Sequence, residues 1–253
     1  MSISLRDTMG GLAKGLSVIE TFTAERPRQS ITEVASASGL DRATARRCLL
    51  TLAQLGYADY DGKYFTLTPR VLRLGTACLA TMPLPQFVQP WLDQLSEELG
   101  ESASVSILDE DAIVYIARAA QRKVMSITLM PGSRLPAYCT SMGRVLLAAL
   151  PEAEAMRRIS MRPLAGRTPL TLTDRDQVMD RVRRARKEGY AIIDQEVEVG
   201  LRSIAVPLVN ARGTTVAAAN FGLPAVGDSA ECLMVKFLPA LKRIQAEIKK
   251  VIG

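Results

Sequence analysis

The chain has 253 residues, of which 48% are apolar and 23% are charged. This composition excludes a disordered or fibrous chain and fits one large globular domain or two modest ones. The chain contains no histidine, which excludes Ser-His-Asp and Cys-His nucleophile pairs and HExxH zinc sites. Carboxylates, lysine or tyrosine still permit catalysis, but we expect no enzyme.

Basic residues outnumber acidic ones by 32 to 26, and the formal net charge is +6. The excess is densest in residues 1–75, which hold ten basic and seven acidic side chains. A basic segment is compatible with a polyanionic partner.

The four cysteines are scattered and form no CxxC pair, so neither a zinc module nor a disulfide framework is predicted. No secretory signal pattern stands at the start, and no apolar run reaches the length of a membrane span. We therefore expect a cytoplasmic protein that needs no metal and no cofactor.

Capping signals divide the first segment into three helices. The periodicity predicts a first helix over about 11–24. The capping box Ser30–Glu33 begins a second helix, which Gly39 ends. Asp41 is a good N-cap for a third helix that runs to Gly56.

The third helix carries the most informative pattern. One of its faces is apolar, whereas Arg42, Ala43, Arg46 and Arg47 lie on another face near its start. The start of a recognition helix meets base edges in the major groove, where arginine binds guanine through two hydrogen bonds. We predict these four residues, together with Thr44, as DNA contacts. A solvated helix face is the alternative explanation.

A hairpin is predicted after the third helix. Two β-prone runs, Tyr57–Tyr60 and Lys63–Leu67, flank Asp61–Gly62. Lys63, near the tip of this wing, is predicted to contact a DNA phosphate. The ordered set of three helices and a hairpin predicts a winged helix-turn-helix domain over 1–68.

A connecting helix is predicted over about 69–81. Its apolar surface is too wide for an isolated linker, and a second subunit is one candidate partner for that surface. The segment Met82–Pro85 cannot continue the helix. The predicted parts are therefore a DNA-binding domain at 1–68, a connecting helix and linker at 69–85, and an effector domain at 86–253.

The second segment has the pattern of an α+β domain. Short turns between successive β-prone runs favour antiparallel pairing, and a cavity between sheet and helices suits a ligand. Helices are predicted at about 86–100, 141–149, 152–160, 174–188 and 233–251. Strands are predicted at 102–108, 112–117, 124–129, 190–194, 203–209 and 214–221.

Familiar catalytic motifs are absent, since the sequence contains no GxSxG, GxxxxGK[ST] or GxGxxG. The arginine-rich stretch 181–187 is predicted as a solvated helix face rather than a second nucleic-acid surface. Asp194 and Glu196 fit either solvated turn residues or ligand contacts.

Residues 134–148 suggest an anion site. Thr140 or Ser141 caps a helix whose first-turn amides attract an anion, and Gly143 permits close approach. Arg134 and Tyr138 complete a pocket for an aromatic or dicarboxylate ligand. A plain capped helix is the alternative.

Three stretches, Ile31–Tyr57, Leu135–Ala148 and Gly189–Pro207, resemble the IclR family of bacterial transcriptional regulators, and the resemblance covers almost the whole chain. It implies a winged helix, a connecting helix and a GAF-like effector domain, assembled as homodimers or dimers of dimers. The segment 134–148 looks like the branch that controls β-ketoadipate pathway genes. Regulators in that branch answer to compounds such as protocatechuate, 4-hydroxybenzoate or β-ketoadipate.

The resemblance also implies effector contacts at the start of the Ser141 helix and on two later strands. Carried onto this sequence, these are Ser141, Met142, Gly143, Ser203, Asn220 and Gly222, with Asp194 nearby. The sequence departs from the family where Asn220–Gly222 replaces serines and where Asp194–Glu196 replaces the commoner Asp-Glu-Glu.

The expected function is a DNA-binding transcriptional regulator that answers to a small carboxylate from aromatic catabolism. The alternatives are a regulator of another carboxylate pathway, of acetate or glyoxylate type, and a ligand-binding enzyme without DNA function.

Overall fold

The computed structural model describes residues 7–23, 25–121, 129–225 and 230–252. The chain divides into two compact units, Met1–Thr81 and Met82–Gly253. Within the described residues, no helix is long and apolar enough to cross a membrane.

In its described residues, the N-terminal unit has four α-helices and a small antiparallel sheet with the strand order β1-β3-β2. Val18, Val34, Leu49 and Phe65 lie at the centre of its core. The helices are α1 (Gly10–Glu20), α2 (Ile31–Ser38), α3 (Arg42–Gln54) and α4 (Leu72–Thr81), and the strands are β1 (Arg28–Ser30), β2 (Ala58–Tyr60) and β3 (Tyr64–Leu67).

The capping signals are confirmed at both helices of the helix-turn-helix. The Ser30 hydroxyl accepts the Glu33 amide, and the Glu33 carboxylate accepts the Ser30 amide. Gly39 ends α2 with a left-handed φ of 68°. The Asp41 carboxylate accepts the Thr44 amide at 2.9 Å, which begins α3.

The first helix ends at Glu20, so it is shorter than the predicted range of about 11–24. The buried Gln29 side chain donates to the Thr21 carbonyl at 2.9 Å. The Thr21 carbonyl therefore accepts a hydrogen bond from Gln29 instead of from the backbone amide of a further helical turn. Gln29 lies on β1, a strand that the sequence pattern did not predict.

The C-terminal unit is built on one six-stranded antiparallel sheet with the order β6-β5-β4-β9-β8-β7, which confirms the predicted α+β class. The strands are β4 (Ser102–Asp109), β5 (Ala112–Ala119), β6 (Arg134–Pro136), β7 (Ala191–Asp194), β8 (Leu201–Val209) and β9 (Thr215–Pro224). The helices are α5 (Pro83–Leu99), α6 (Ser141–Ala148), α7 (Glu152–Ile159), α8 (Arg175–Glu188), α9 (Ala230–Lys236) and α10 (Leu238–Val251).

Both faces of this sheet are covered. Ala205 and Ala218 belong to the cluster that contains α6 and α8. Their neighbours Ile204, Val206 and Ala219 belong to the cluster of α5 and α10. Since side chains alternate along a strand, each strand contributes to both cores.

Two further predicted helices differ from the structure, and one predicted strand lies mostly outside the described residues. Helix α5 begins at Pro83 rather than at 86, since first-turn residues need no amide donor within the helix. The single closing helix predicted at 233–251 is two helices, because Pro239 lacks the amide that would continue α9. The strand predicted at 124–129 falls, except for Leu129, outside the described residues.

The arginine-rich helix α8 has the solvated face that its sequence predicted. Arg183 pairs with Glu152 and Asp180, and Arg184 pairs with Glu188. These exposed ion pairs account for much of the charge on this helix.

Candidate functional site

The exposed side of α3 carries the predicted DNA contacts. Ala45, Leu49 and Leu52 are buried, so the helix has a fixed orientation in its unit. Arg42, Ala43, Arg46 and Arg47 are exposed, whereas Thr44 is half-buried. Within the described residues, none of these three arginines forms an ion pair with a carboxylate. They are therefore free to meet phosphates or base edges.

The wing presents a cluster of cations around one carboxylate. Asp61 accepts the amides of Lys63 at 2.9 Å and Tyr64 at 2.8 Å, and it pairs with Arg28 at 2.5 Å. The Tyr64 amide and the Arg28 guanidinium hold the pKa of Asp61 well below its usual range. Both Arg28 and the predicted contact Lys63 lie over the Tyr64 ring, at 4.2 and 5.0 Å.

Arg28 is a functional candidate that the sequence did not reveal. It lies 33 residues before Asp61, on an unpredicted strand, and no local spacing signals that contact.

The second candidate site is a cavity where the start of α6 faces the sheet. Five predicted residues meet at it, namely Ser141, Met142, Ser203, Asn220 and Gly222. The hydroxyl oxygens of Ser141 and Ser203 are 2.7 Å apart, and Ser203 is opposite Gly222 in the β8–β9 register. The sheet and α6 thus bring together residues far apart in the sequence.

Strand β5 adds two residues to this cavity, Tyr115 and Arg118. The half-buried Arg118 donates to the Ser104 hydroxyl at 2.9 Å, and burial lowers the pKa of its guanidinium. Arginine nevertheless stays charged in proteins. Among the described residues Arg118 has no carboxylate partner, so it is a cation available to an anionic ligand.

Sequence reasoning missed Arg118, although a signal existed. It is the one charged residue in the β5 run Ala-Ile-Val-Tyr-Ile-Ala-Arg-Ala. Register places it opposite Ser104, which is itself opposite Asn220. A polar row therefore crosses three strands beside the cavity.

Asn220 is the second unsatisfied group. Its side chain is 8% exposed, and its carbonyl oxygen Oδ1 is buried without a hydrogen-bond partner in the described part of the chain. Buried acceptors are rarely left unpaired, and each exception needs an explanation. A donor on a bound ligand would satisfy this oxygen.

Four predicted effector contacts, Arg134, Tyr138, Gly143 and Asp194, do not line this cavity. Arg134 is exposed on β6 and pairs with Asp109, and the Tyr138 hydroxyl donates to the Ala165 carbonyl. Both line a separate cavity of about 290 Å³. Burial raises the pKa of Tyr138 to about 12, so its phenol is neutral.

Asp194 pairs with Arg202 at 2.8 Å, and that hydrogen bond holds the pKa of Asp194 below its usual value. Its neighbour Ile193 lines the cavity between α6 and the sheet, whereas Asp194 borders another cavity of about 600 Å³. The alternation of side chains along β7 explains this separation.

Gly143 also has a different role from the predicted one. Thr140 is the N-cap of α6, and its hydroxyl accepts the Gly143 amide at 3.1 Å. A Cβ at Gly143 would lie 2.1 Å from the Ala137 carbonyl oxygen. Glycine is therefore required for packing against the preceding turn, and its amide is already engaged.

The cavity between α6 and the sheet is small as it stands. Its volume is about 30 Å³, whereas pockets for small organic ligands start at about 300 Å³. A ring-sized ligand therefore needs the walls of this cavity to move apart.

Comparisons with known proteins cover both units. The family described as "Bacterial transcriptional regulator IclR C-terminal" matches residues 76–248, and the "IclR helix-turn-helix domain" matches residues 11–62.

Two curated relatives align with nearly the whole chain. The "Pca regulon regulatory protein" of Pseudomonas putida is 42% identical and aligns over 93% of this chain and 81% of its own. The "p-hydroxybenzoate hydroxylase transcriptional activator" of Acinetobacter baylyi is 36% identical over 99% of this chain and 94% of its own.

A solved structure matches the effector unit. It is the inducer-binding domain of an Acinetobacter transcription factor, a double mutant of PobR in complex with 3-hydroxybenzoic acid. That structure is 30% identical, has a TM-score of 0.62, and covers 66% of this chain and 98% of its own.

Proposed function

This chain belongs to the IclR family of bacterial transcriptional regulators, and we propose that its effector is a hydroxylated aromatic carboxylate bound in the cavity between α6 and the sheet. Arg118 holds the carboxylate, and Asn220 accepts a hydrogen bond from the ring hydroxyl. Ser141 and Ser203 supply further polar contacts, Gly222 leaves space, and Met142 covers the ring.

The observation that carries this proposal is the pair of unsatisfied groups at one cavity. Arg118 offers a cation without a carboxylate partner in the described residues, and Asn220 offers a buried acceptor without a donor. A hydroxybenzoate has the complementary groups at its two ends. The relatives point to the same chemistry, because one carries p-hydroxybenzoate in its name and another was solved with 3-hydroxybenzoic acid.

Isothermal titration tests the effector. Protocatechuate, 4-hydroxybenzoate and β-ketoadipate are titrated alongside benzoate, which lacks the hydroxyl. We expect a hydroxybenzoate to bind more tightly than benzoate. Tight binding of β-ketoadipate alone would contradict the aromatic assignment.

Two variants locate the site. Arg118→Met keeps the length of the side chain but loses the charge, and Ser203→Leu removes a hydroxyl and fills the cavity. Arg118→Met should weaken the binding of the hydroxybenzoate at least tenfold, since a charged hydrogen bond is worth about 1.5–3 kcal/mol. Ser203→Leu should also weaken it, because the leucine side chain occupies the space of the ligand. Arg134→Met is the matched control and should bind normally. The opposite pattern would place the effector in the cavity beside Tyr138.

The regulator binds DNA through its helix-turn-helix unit, and the individual contacts are part of this proposal. Arg42 and Arg46 read bases, Ala43 and Thr44 allow close approach, and Arg47 and Lys63 contact phosphates. Arg46→Ala should cost about 1–3 kcal/mol of discrimination between operator and random DNA, whereas Lys63→Ala should weaken all DNA alike. Gel-shift titrations on the upstream intergenic DNA measure both effects. An unchanged specificity ratio in Arg46→Ala would make Arg46 a phosphate contact.

Self-association through the N-terminal unit completes the proposal. The helices α1, α3 and α4 line an apolar groove of about 570 Å³. Leu12, Leu16 and Leu74 are exposed there at 62%, 46% and 53%. Large exposed apolar patches mark interaction sites, and helix-turn-helix dimers bind two half-sites. A second copy of this chain therefore fits the groove.

A further inference from the structure

A buried ion pair lies behind one wall of the effector cavity. Arg144 of α6 is 2% exposed, and its two terminal nitrogens donate to the two Glu196 carboxylate oxygens at 2.7 and 2.6 Å. The third nitrogen, Nε, donates to the Tyr138 carbonyl at 3.2 Å. All three guanidinium nitrogens of Arg144 therefore donate hydrogen bonds, which fix the orientation of its side chain relative to Glu196.

Each partner of the pair is adjacent to residues that line the cavity. Arg144 is one helical turn after Ser141, and Glu196 is next to Val197. The Ser141 and Ser203 hydroxyls make a further contact, 2.7 Å long, between the start of α6 and β8. The Arg144–Glu196 pair thus joins α6 to the segment between β7 and β8.

The segment 195–200 is itself fixed in place. The Thr171 hydroxyl donates to the Glu196 carbonyl at 2.6 Å, and the Thr168 hydroxyl donates to the Gln195 carbonyl at 2.7 Å. Gln195 has a left-handed φ of 59°. Because the 168–171 turn holds two of its carbonyls, movement of α6 away from this segment would stretch the Arg144–Glu196 pair.

We infer that the Arg144–Glu196 pair positions these two walls and thereby limits the size of the effector, without contacting it. This inference rests on the proposed effector cavity. The cavity of about 30 Å³ must widen for any ring, and a pair that holds two of its walls makes widening harder for a bulkier ligand. The pair therefore favours a compact ring over a more substituted one.

The test removes the pair without leaving a buried charge. Arg144→Met/Glu196→Met replaces it with apolar side chains, a change that is often neutral or stabilising for buried pairs. The matched control is Arg183→Met/Glu152→Met, which removes an exposed ion pair between α7 and α8. Thermal unfolding establishes that both proteins are folded.

Titrations then compare 4-hydroxybenzoate with its bulkier 3-methoxy derivative. We expect the Kd of the 3-methoxy derivative, divided by the Kd of 4-hydroxybenzoate, to be about fivefold lower in the Met/Met variant than in the wild type. Fivefold is the lower end of typical coupling between linked sites. The control should keep the wild-type ratio. If both ligands weaken equally and the ratio stays constant, the pair serves stability alone and the inference is overturned.

Hydrogen exchange on the ligand-free proteins separates this inference from the proposed function. The amides of residues 141–145 and 195–203 should exchange faster in the Met/Met variant than in the control. If the wild type bound neither ring, the proposed effector would be wrong, and the exchange result alone would then support or reject the positioning role. Unchanged exchange would overturn that role whatever the ligand.

Discussion

Two polar groups beside the cavity lack a full complement of partners in the described residues. The Asn220 carbonyl oxygen has no hydrogen-bond donor, and the Arg118 guanidinium has no carboxylate. A buried carbonyl oxygen without a donor destabilises the protein, because it loses its hydrogen bond to water on folding. Residues that carry such a cost are typical of binding sites, where a ligand completes the hydrogen bonding. The same two residues should therefore weaken the free protein and strengthen the complex.

Asn220→Leu tests this trade-off. Leucine has a similar size and no unsatisfied oxygen, so the ligand-free protein should gain about 1 kcal/mol in the free energy of unfolding. The same change should abolish the preference for 4-hydroxybenzoate over benzoate. Thermal unfolding and calorimetric titration measure the two effects. A less stable variant that keeps its preference would show that Asn220 is a structural residue.

A substitution at Gly143 should destabilise the protein, in contrast to Asn220→Leu, because Gly143 has a packing role. Gly143→Ala places a methyl group against the Ala137 carbonyl, and we expect a loss of about 1–3 kcal/mol in unfolding free energy. Gly75→Ala is the matched control, since a Cβ there meets nothing within 4 Å. In mid-helix that change should stabilise the protein by about 0.5–1 kcal/mol. Chemical denaturation measures both variants, and equal effects would contradict the close approach at Gly143.

At the scale of elements, the wing shows how one carboxylate organises a DNA-facing surface. Asp61 joins the turn amides to Arg28 on the neighbouring edge strand. A negative charge near DNA would by itself oppose binding. We expect Asp61 to offset that effect by holding Arg28 and the backbone of Lys63 in place.

Asp61→Ala therefore has an informative sign. Removing an acidic group should strengthen DNA binding if only net charge matters, but we expect weaker binding because the wing loses its shape. Asp59→Ala, on the exposed side of β2, is the control and should bind DNA equally well or slightly better. Gel-shift titrations at constant salt compare the two variants. Stronger binding by Asp61→Ala would refute the organising role.

The elements that the sequence predicted well are those set by local chemistry. Ser30, Gly39 and Asp41 act on their own neighbours, so their capping roles could be predicted without tertiary structure. The pairing of β1 with β3 and the division between α9 and α10 were missed. The first depends on a contact between distant segments, and the second on Pro239, whose effect the apolar periodicity outweighed.

The proposed effector cavity was predictable only in part for the same reason. The start of α6 and the strands β8 and β9 each carry a stretch that resembles the family, and the structure brings Ser141, Ser203 and Asn220 of these stretches to one cavity. The structure places Arg134 and Asp194 at two other cavities, because the side that a side chain faces depends on sheet register. Arg118 was not predicted as a site residue, because its partner Ser104 lies on another strand.

At the scale of the whole molecule, the regulator needs two events, effector binding in one unit and DNA binding in the other. The present structure describes each unit by itself. In the proposed dimer, the two winged helices on one operator keep a fixed spacing of about one DNA turn, 34 Å. The apolar groove of the N-terminal unit is the part of the described surface that best suits such a dimer.

Leu16→Glu/Leu74→Glu tests the dimer by placing two carboxylates in that groove. Like charges facing each other across an interface cost several kcal/mol, so the variant should sediment as a monomer at micromolar concentration. Its operator affinity should fall at least a hundredfold, because one half-site alone must then hold the protein. Effector binding should be unchanged, since the cavity lies in the other unit. Val235→Glu, an exposed apolar residue of the C-terminal unit, is the matched control and should keep both the oligomeric state and the operator affinity. Sedimentation velocity and gel-shift titration measure the two quantities, and a variant that stays dimeric would remove the groove from the interface.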